Sequence, residues 1–120
     1  MDYRSTASFG KRQEYIAIAE MLRLGFDVYM TLVDDQQIDC VVPHPTIPPK
    51  YTDIQIKARS KNAKNAATFA ALEIRNPREN FVFVFYSEPC DSYWVMPSLD
   101  LVAMANVGKS GKIKGSTGLI

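Results

Sequence analysis

Residues 37–59 read QIDCVVPHPTIPPKYTDIQIKAR and contain two short apolar runs, 38–42 and 51–58, joined by a proline-rich connector. In the second run Ile54 and Ile56 alternate with polar residues, which is the period-two pattern of a half-buried strand. Gln55 and Lys57 therefore share one face of a predicted strand, and Asp39 lies on the strand that precedes it. The rest of the chain predicts helices and further strands that would pack around these two strands.

The composition is that of one small folded domain. The chain has 120 residues, of which 47% are hydrophobic, which is enough for a single core and too few residues for two. Lys and Arg number 14 and Asp and Glu 13, so the formal net charge is +1 and overall charge does not indicate a polyanionic partner. Basic residues nevertheless cluster near both ends, at Arg4, Lys11, Arg12, Lys109, Lys112 and Lys114.

Cysteine usage and hydropathy predict the compartment. Cys40 and Cys90 do not make a disulfide framework, and Cys40 lies in an apolar run typical of a buried strand, so reduced thiols are expected. No apolar segment approaches the ~20 residues that span a bilayer, and the N-terminus lacks the apolar core of a signal peptide. A soluble cytoplasmic protein with no membrane partner is therefore predicted.

The N-terminal third predicts a helix followed by a hairpin. Residues 1–8 are polar and predict a loose arm. A helix is predicted from Lys11, because apolar residues recur at helical spacing at Tyr15, Ile18, Ala19 and Leu22. Gly25 ends this helix. Residues 26–33 alternate as a strand, and the four-residue turn 34–37 leads into the Asp39 strand, so the two strands are expected to be antiparallel.

The second half predicts further strands and a short helix. Residues 59–65 read as a basic loop, 66–74 fit either a helix or a short strand, and 76–80 form a turn. The run 81–85 is apolar on both faces and belongs in the middle of a sheet. Residues 92–96 form another strand in which Tyr93 or Trp94 faces the core, and Ser98 caps a helix over 99–105. Residues 108–120, rich in Gly and Lys, are expected to be a flexible tail.

These elements predict one α/β (α+β) domain with a mixed central sheet flanked by helices. Its polar residues resemble the PD-(D/E)XK nuclease superfamily, in which an Asp on one strand is followed by Asp/Glu-x-Lys on the next, often with a Glu on a preceding helix. Glu14, Asp39 and Gln55-Ile56-Lys57 stand in that order here. Gln55 departs from the commonest family form, which has a carboxylate, although a Gln-x-Lys variant occurs among active members. The resemblance covers roughly residues 9 to 106 and implies a restriction-endonuclease-like core, similar to Holliday-junction resolvases and intron-encoded homing endonucleases.

The resemblance implies a metal-dependent site for phosphodiester hydrolysis. A hard cation, Mg²⁺ or Mn²⁺, would take Asp39 as its central ligand, with the side-chain carbonyl of Gln55 and the backbone carbonyl of Ile56 beside it. Lys57, on the same face as Gln55, would orient or deprotonate the attacking water. Glu14 would reach the metal directly or through water, and the absence of a carboxylate at Gln55 is expected to weaken metal affinity.

Other polar residues could compete for these roles. Glu20 is the rival of Glu14 but points about 120° away from it on the helical wheel. Turn residues 34–35 and Asp53 are expected to be structural, although each could approach the metal. His44, the only histidine, lies between two prolines and is expected to be structural or solvated.

The predicted function is a metal-dependent DNA endonuclease. Cutting both strands requires two sites, so a homodimer or higher oligomer is expected. Two alternatives remain: an inactive nuclease-fold module that binds nucleic acid or a protein partner, and an RNA-processing enzyme, for which the sequence offers no aromatic RNA-binding signature. Phosphate contacts are expected from basic residues of the loop after the catalytic strand and of the helix start, namely Arg59, Lys61, Lys64, Lys11 and Arg12.

Overall fold

The structure, a computed structural model, describes residues 3–33, 36–60, 72–108 and 117–118. Within these ranges it is a small α+β domain with a mixed sheet and two helices, which confirms the predicted class. Its elements in chain order are α1 (Tyr3–Arg23), β1 (Tyr29–Met30), β2 (Cys40–His44), β3 (Lys50–Arg59), β4 (Leu72–Glu73), β5 (Phe81–Ser87), β6 (Ser92–Pro97), α2 (Ser98–Gly108) and β7 (Thr117–Gly118).

Five strands form one sheet in the order β1-β2-β3-β5-β6. The pairs β1–β2 and β2–β3 are antiparallel, as the predicted hairpin requires, whereas β5 lies parallel to β3 and β6 returns antiparallel to β5. β3 pairs with β2 only over Lys50–Ile54 but with β5 over Asp53–Arg59. Beyond Ile54, β3 therefore has no ladder partner on its β2 side among the described residues.

The sheet separates two apolar layers. On one side Ala17 and Ile18 of α1 pack against the sheet residues Cys40, Val42, Ile54, Ile56 and Val84. On the other side Leu101 of α2 packs with Ile74, Phe81, Phe83 and Phe85. β5 contributes to both layers and lies between β3 and β6, which confirms its predicted place in the interior of the sheet.

Helix α1 starts earlier and faces differently than predicted. It begins at Tyr3, so residues 3–8, predicted as a loose arm, are helical, and Phe9 is buried. The buried face contains Phe9, Gln13, Ala17 and Ile18, whereas the predicted face residues Tyr15, Ala19 and Leu22 are exposed. The sequence gives both stripes helical spacing, and contact with the sheet, which the periodicity does not specify, selects between them.

The end of α1 agrees with the prediction. Gly25 has φ of 101°, its N–H donates to the Leu22 carbonyl at 3.0 Å, and the Phe26 N–H donates to the Met21 carbonyl at 3.1 Å. These two hydrogen bonds form a Schellman motif, in which the residue after the helix adopts the left-handed conformation that glycine tolerates.

Several boundaries after α1 differ from the expectations. The predicted strand 26–33 pairs only at Tyr29–Met30, and the turn residues 34–35 lie outside the described residues. Of the ambiguous segment 66–74, residues 72–73 are strand β4, and 66–71 are not described. In the predicted tail Gly108 ends α2 and Thr117–Gly118 pair with β4, while 109–116 and 119–120 are not described.

A turn ties α2 to the start of β5. The Ser98 hydroxyl is fully buried, accepts the Arg78 N–H at 3.0 Å and donates to the Arg78 carbonyl at 2.9 Å. The guanidinium of Arg78 bonds the Asp53 carboxylate at 2.6 Å and lies over the Phe81 ring. Ser98 therefore serves as a tertiary tether as well as standing at the helix start. Among the described helices, none is long and apolar enough to span a membrane.

Candidate functional site

Asp39 directly precedes β2, at the end of the β2–β3 ladder beyond which β3 continues without β2 beside it. Its N–H donates to the Ile54 carbonyl at 2.8 Å, and its Oδ2 accepts the Ile56 N–H at 2.6 Å. Ile56 is the position at which β3 has passed its last ladder partner on β2, so the carboxylate takes the place of a strand neighbour. The Asp39 side chain is thereby fixed in a site where the residue is only 6% exposed.

Gln55 lies beside Asp39 and is 7% exposed. Its Nε2 donates to Asp39 Oδ2 over a long 3.4 Å, and its Oε1 is buried without a hydrogen-bond partner among the described residues. A buried amide carbonyl without a partner is costly, since it loses water and gains nothing in return. The Oε1 atom is therefore a vacant acceptor next to a fixed carboxylate.

The Ile56 carbonyl and the Lys57 side chain are the two other groups that β3 contributes to the predicted site. A residue in an antiparallel ladder presents its N–H and its carbonyl to the same neighbour, so the Ile56 carbonyl faces the same side as the N–H that reaches Asp39. Gln55 and Lys57 lie opposite Phe83 and Phe85 of β5 in register, which puts both side chains on the α2 side of the sheet. Lys57 is partly buried.

Glu14 belongs to α1, which packs on the side of the sheet opposite Gln55 and Lys57. Burial is the main cause that raises the pKa of the Cys40 thiol to about 12, and the charges of Asp39 and then Glu14 raise it further. Glu14 also accepts a hydrogen bond from Lys11 Nζ at 3.1 Å. This bond and the charge of Glu14 raise the pKa of Lys11, with a smaller contribution from Asp39.

Of the competing residues, those that the structure describes have other contacts. Glu20 is exposed and pairs with Arg23 on α1, and Asp53 pairs with Arg78. His44 is the last residue of β2 rather than part of the connector, and its Nε2 lies 2.7 Å from the Thr52 hydroxyl. The turn residues 34–35 are outside the described part of the chain.

The predicted phosphate-contacting residues separate into three groups. Lys11 and Arg12 are exposed on α1, Lys11 in the ion pair with Glu14 and Arg12 over the Phe9 ring at 5.4 Å. Lys61 and Lys64 lie outside the described residues. Arg59 belongs to the end of β3 rather than to a loop, is buried, and donates from Nη2 to the Ser87 hydroxyl at 2.8 Å.

Sequence reasoning missed two features near the site. Gln13, next to Glu14, lies on the buried stripe of α1, and the apolar residues Phe9 and Ala17, one helical turn before and after it, could have indicated this. Arg59 continues the alternation of Gln55 and Lys57 along β3, and that period-two signal could have extended the strand to it. Both Tyr93 and Trp94 are exposed, although one of them was expected in the core.

The structure brings Asp39 and Gln55 into contact, and Lys57 lies on the same side of the sheet as Gln55. No group of three or more His, Cys, Asp and Glu side chains able to hold a metal ion is present in the described ranges 3–33, 36–60, 72–108 and 117–118. Any cation beside Asp39 would rely on this one carboxylate and on carbonyl oxygens, which suits a hard cation that retains several waters better than Zn²⁺.

A scan of protein-family models and searches of curated proteins and of solved structures find no match to this chain.

Proposed function

We propose that the chain is a metal-dependent DNA endonuclease of the PD-(D/E)XK type, with Glu14, Asp39, Gln55 and Lys57 as its site. The observation that carries the proposal is the buried Oε1 of Gln55, a carbonyl oxygen without a partner among the described residues, beside a carboxylate that the Ile56 N–H holds in place. A divalent cation would satisfy this oxygen and offset the charge of Asp39 in one step.

The arrangement of the elements supports the same proposal. A helix precedes three strands that pair in antiparallel order, and a later strand joins the third one in parallel. The resemblance implies a helix with Glu, then a hairpin whose second strand carries Asp39, then a strand with Gln-x-Lys. Here Asp39 lies at the end of the β2–β3 ladder, which its carboxylate bridges.

Four groups fit a hard cation chemically. Asp39 and Glu14 offer carboxylate oxygens, and Gln55 and Ile56 offer carbonyl oxygens, which are the ligand types that Mg²⁺ and Mn²⁺ accept. When bound, such a cation polarises the phosphate and makes its coordinated water more acidic. With a neutral amide at Gln55, the site carries one charge fewer than a three-carboxylate site, so millimolar rather than micromolar cation should be required.

The remaining steps fall to the side chains of this chain. Lys57 holds the attacking water by hydrogen bonding at Nζ and places positive charge where the phosphate becomes more negative. Asp39, immobilised by the Ile56 N–H, needs no rearrangement to act as a ligand. Lys11 and Arg12, exposed on α1, would contact backbone phosphates on either side of the scissile bond.

The test is cleavage of supercoiled plasmid and of branched DNA with Mg²⁺ or Mn²⁺. We expect wild type to cut and both Asp39→Asn and Lys57→Ala to lose activity about 100-fold or more. Asp39→Asn keeps an acceptor for the Ile56 N–H, so loss of activity cannot be attributed to loss of the fold. Lys50→Ala is the matched control, since Lys50 is an exposed lysine of the same strand at its other end. Equal rates for Lys57→Ala and Lys50→Ala would contradict the proposal.

A second function is favoured by one observation. Gln55, which lies beside Asp39, is a neutral amide at the position where the commonest form of the resembled family has a carboxylate. A nuclease-fold module that binds nucleic acid without cutting it would retain DNA binding in chelator and in Asp39→Asn. Binding of this kind with no cleavage of either substrate would select the module over the enzyme.

A further inference from the structure

An apolar groove lies on the α1 side of the sheet, away from Gln55 and Lys57. Its cavity has a volume of about 430 Å³ and is bounded by the C-terminal end of α1 and by β6. The floor consists of Val42, Ile54, Val82 and Val84, and Leu24, Phe26, Tyr93 and Val95 form the rims. The charged group that lines it, Glu20, pairs with Arg23.

The rims of this groove expose an apolar patch as large as the largest that folded monomers usually leave to water. Leu24, Phe26, Tyr93 and Val95 are between 45% and 66% exposed. Their combined accessible area is on the order of 400–500 Å², which reaches the upper range of the largest apolar patch on a typical monomer. A stable interface buries about 800 Å² on each partner, so the four rim residues would supply roughly half of one.

The strand beside the groove is an unprotected edge. β6 is the last strand of the sheet order, and its sequence, Ser92-Tyr93-Trp94-Val95-Met96-Pro97, contains no charged residue. Soluble proteins usually protect such an edge with lysine, an early proline or a covering loop. Here proline stands only at the final position of the strand, so the edge stays competent to pair or pack.

The described ends of the undescribed segments point away from the groove. Leu72, Gly108 and Thr117 border these segments and belong to β4, α2 and β7. β4 pairs with β7, and Ile74, which follows β4, packs with Leu101 in the layer on the α2 side. The groove lies on the opposite face of the sheet, and none of the residues that line it belongs to β4, α2 or β7.

We propose that this groove is a homodimer interface, covered by a second copy of the chain. Floor and rims are both apolar, so a two-fold axis would bury one apolar surface against its copy. With a formal net charge of +1, two copies repel each other little. The association involves none of Glu14, Asp39, Gln55 or Lys57, and it holds whether or not the chain cuts DNA.

The test is the mass in solution, measured by light scattering after size exclusion at micromolar concentration without DNA. Wild type should have twice the mass of one chain. Val95→Lys and Leu24→Lys each place an ammonium in an apolar interface and should raise the dissociation constant about tenfold or more. Val33→Lys is the matched control, because Val33 and Val95 are both 66% exposed and Val33 does not line the groove.

Each outcome decides the proposal. Far-ultraviolet circular dichroism should show all three variants folded, since each replaced side chain is already mostly exposed. A dimeric Val33→Lys beside monomeric Val95→Lys and Leu24→Lys supports the interface. A monomeric wild type, or a dimer that Val95→Lys leaves as tight as Val33→Lys does, overturns it.

Discussion

The side-chain amide of Gln55 meets two different surroundings at its two ends. Nε2 points to the Asp39 carboxylate, while Oε1 is buried without a partner in the described part of the chain. A carboxylate at this position would place two negative charges together in a buried site, which is unfavourable without a cation. The amide at Gln55 therefore lets the protein fold with less charge repulsion than a carboxylate would. Under the proposed function, the amide also binds the cation less tightly.

Gln55→Glu should lower the stability of the metal-free protein and raise its affinity for the cation. Without metal, the second buried carboxylate beside Asp39 should lower stability by about 2 kcal/mol, or roughly 5–10 °C in melting temperature. With Mg²⁺ or Mn²⁺, the variant should be stabilised more than wild type, since it binds the cation more tightly in the folded state. Thermal melts in chelator and across a cation titration measure both effects.

Gln36→Glu controls for the added charge, because Gln36 is exposed to solvent whereas Gln55 is buried. It should change neither the melting temperature in chelator nor the response to cation. If Gln55→Glu behaves like Gln36→Glu in both conditions, no cation site exists at Asp39.

Cys40 provides a pH-dependent signal from the same region. Burial and the nearby carboxylates raise its pKa in the folded protein from an ordinary value of 9.0 to about 12. Between these pH values the unfolded chain loses a proton that the folded chain keeps, so the stabilisation from this thiol is complete below pH 9 and is lost as pH rises toward 12.

Two measurements check this expectation. Urea unfolding above pH 9 should show a steeper loss of stability for wild type than for Cys40→Ala. At neutral pH, alkylation followed by mass spectrometry should modify the exposed Cys90 and spare Cys40. Equal alkylation of both cysteines in the folded protein would show that Cys40 is not buried.

At the level of elements, the sequence predicted what short-range chemistry determines. The alternation around Ile54 and Ile56 located β3, the apolar run located β5, and Gly25 located the end of α1. The start of α1 was wrong because Ser, Thr and Gly in residues 3–10 have weak helix propensity, and burial of Phe9 against the body of the protein compensates for it.

The same substitution at two glycines should have opposite effects. Gly25→Ala puts a side chain at φ of 101°, and a Cβ there would meet no neighbour within 4 Å, so backbone strain alone should cost about 1 kcal/mol. Gly10→Ala lies inside α1 with equally open space and should stabilise the protein by about 0.5–1 kcal/mol. Chemical denaturation of both variants measures the signs. A destabilised Gly10→Ala would mean that α1 does not extend through residue 10 in solution.

At the level of the whole molecule, part of the candidate site could be predicted and part could not. Strand periodicity put Gln55 and Lys57 on one face, which the register with Phe83 and Phe85 confirms. The contact between Asp39 and the Ile56 N–H depends on where the β2–β3 ladder stops, and no local pattern encodes that point. The groove escaped prediction because it arises between α1 and β6, elements that are distant in sequence.

The two proposals together predict how the whole molecule cuts a plasmid. A dimer holds two sites and should convert supercoiled plasmid to linear product, whereas a monomer with one site should mainly nick it to the open circle. Val95→Lys, which leaves Asp39, Gln55 and Lys57 unchanged, should therefore retain nicking and lose linear product by about tenfold at concentrations where it is monomeric. Val33→Lys should give the wild-type ratio of the two products. The time course of open-circle and linear forms on a gel provides the measurement. If Val95→Lys is monomeric and still yields linear plasmid at the wild-type rate, double-strand cleavage does not depend on this interface. If Val95→Lys loses nicking as well, the second copy contributes to the site itself.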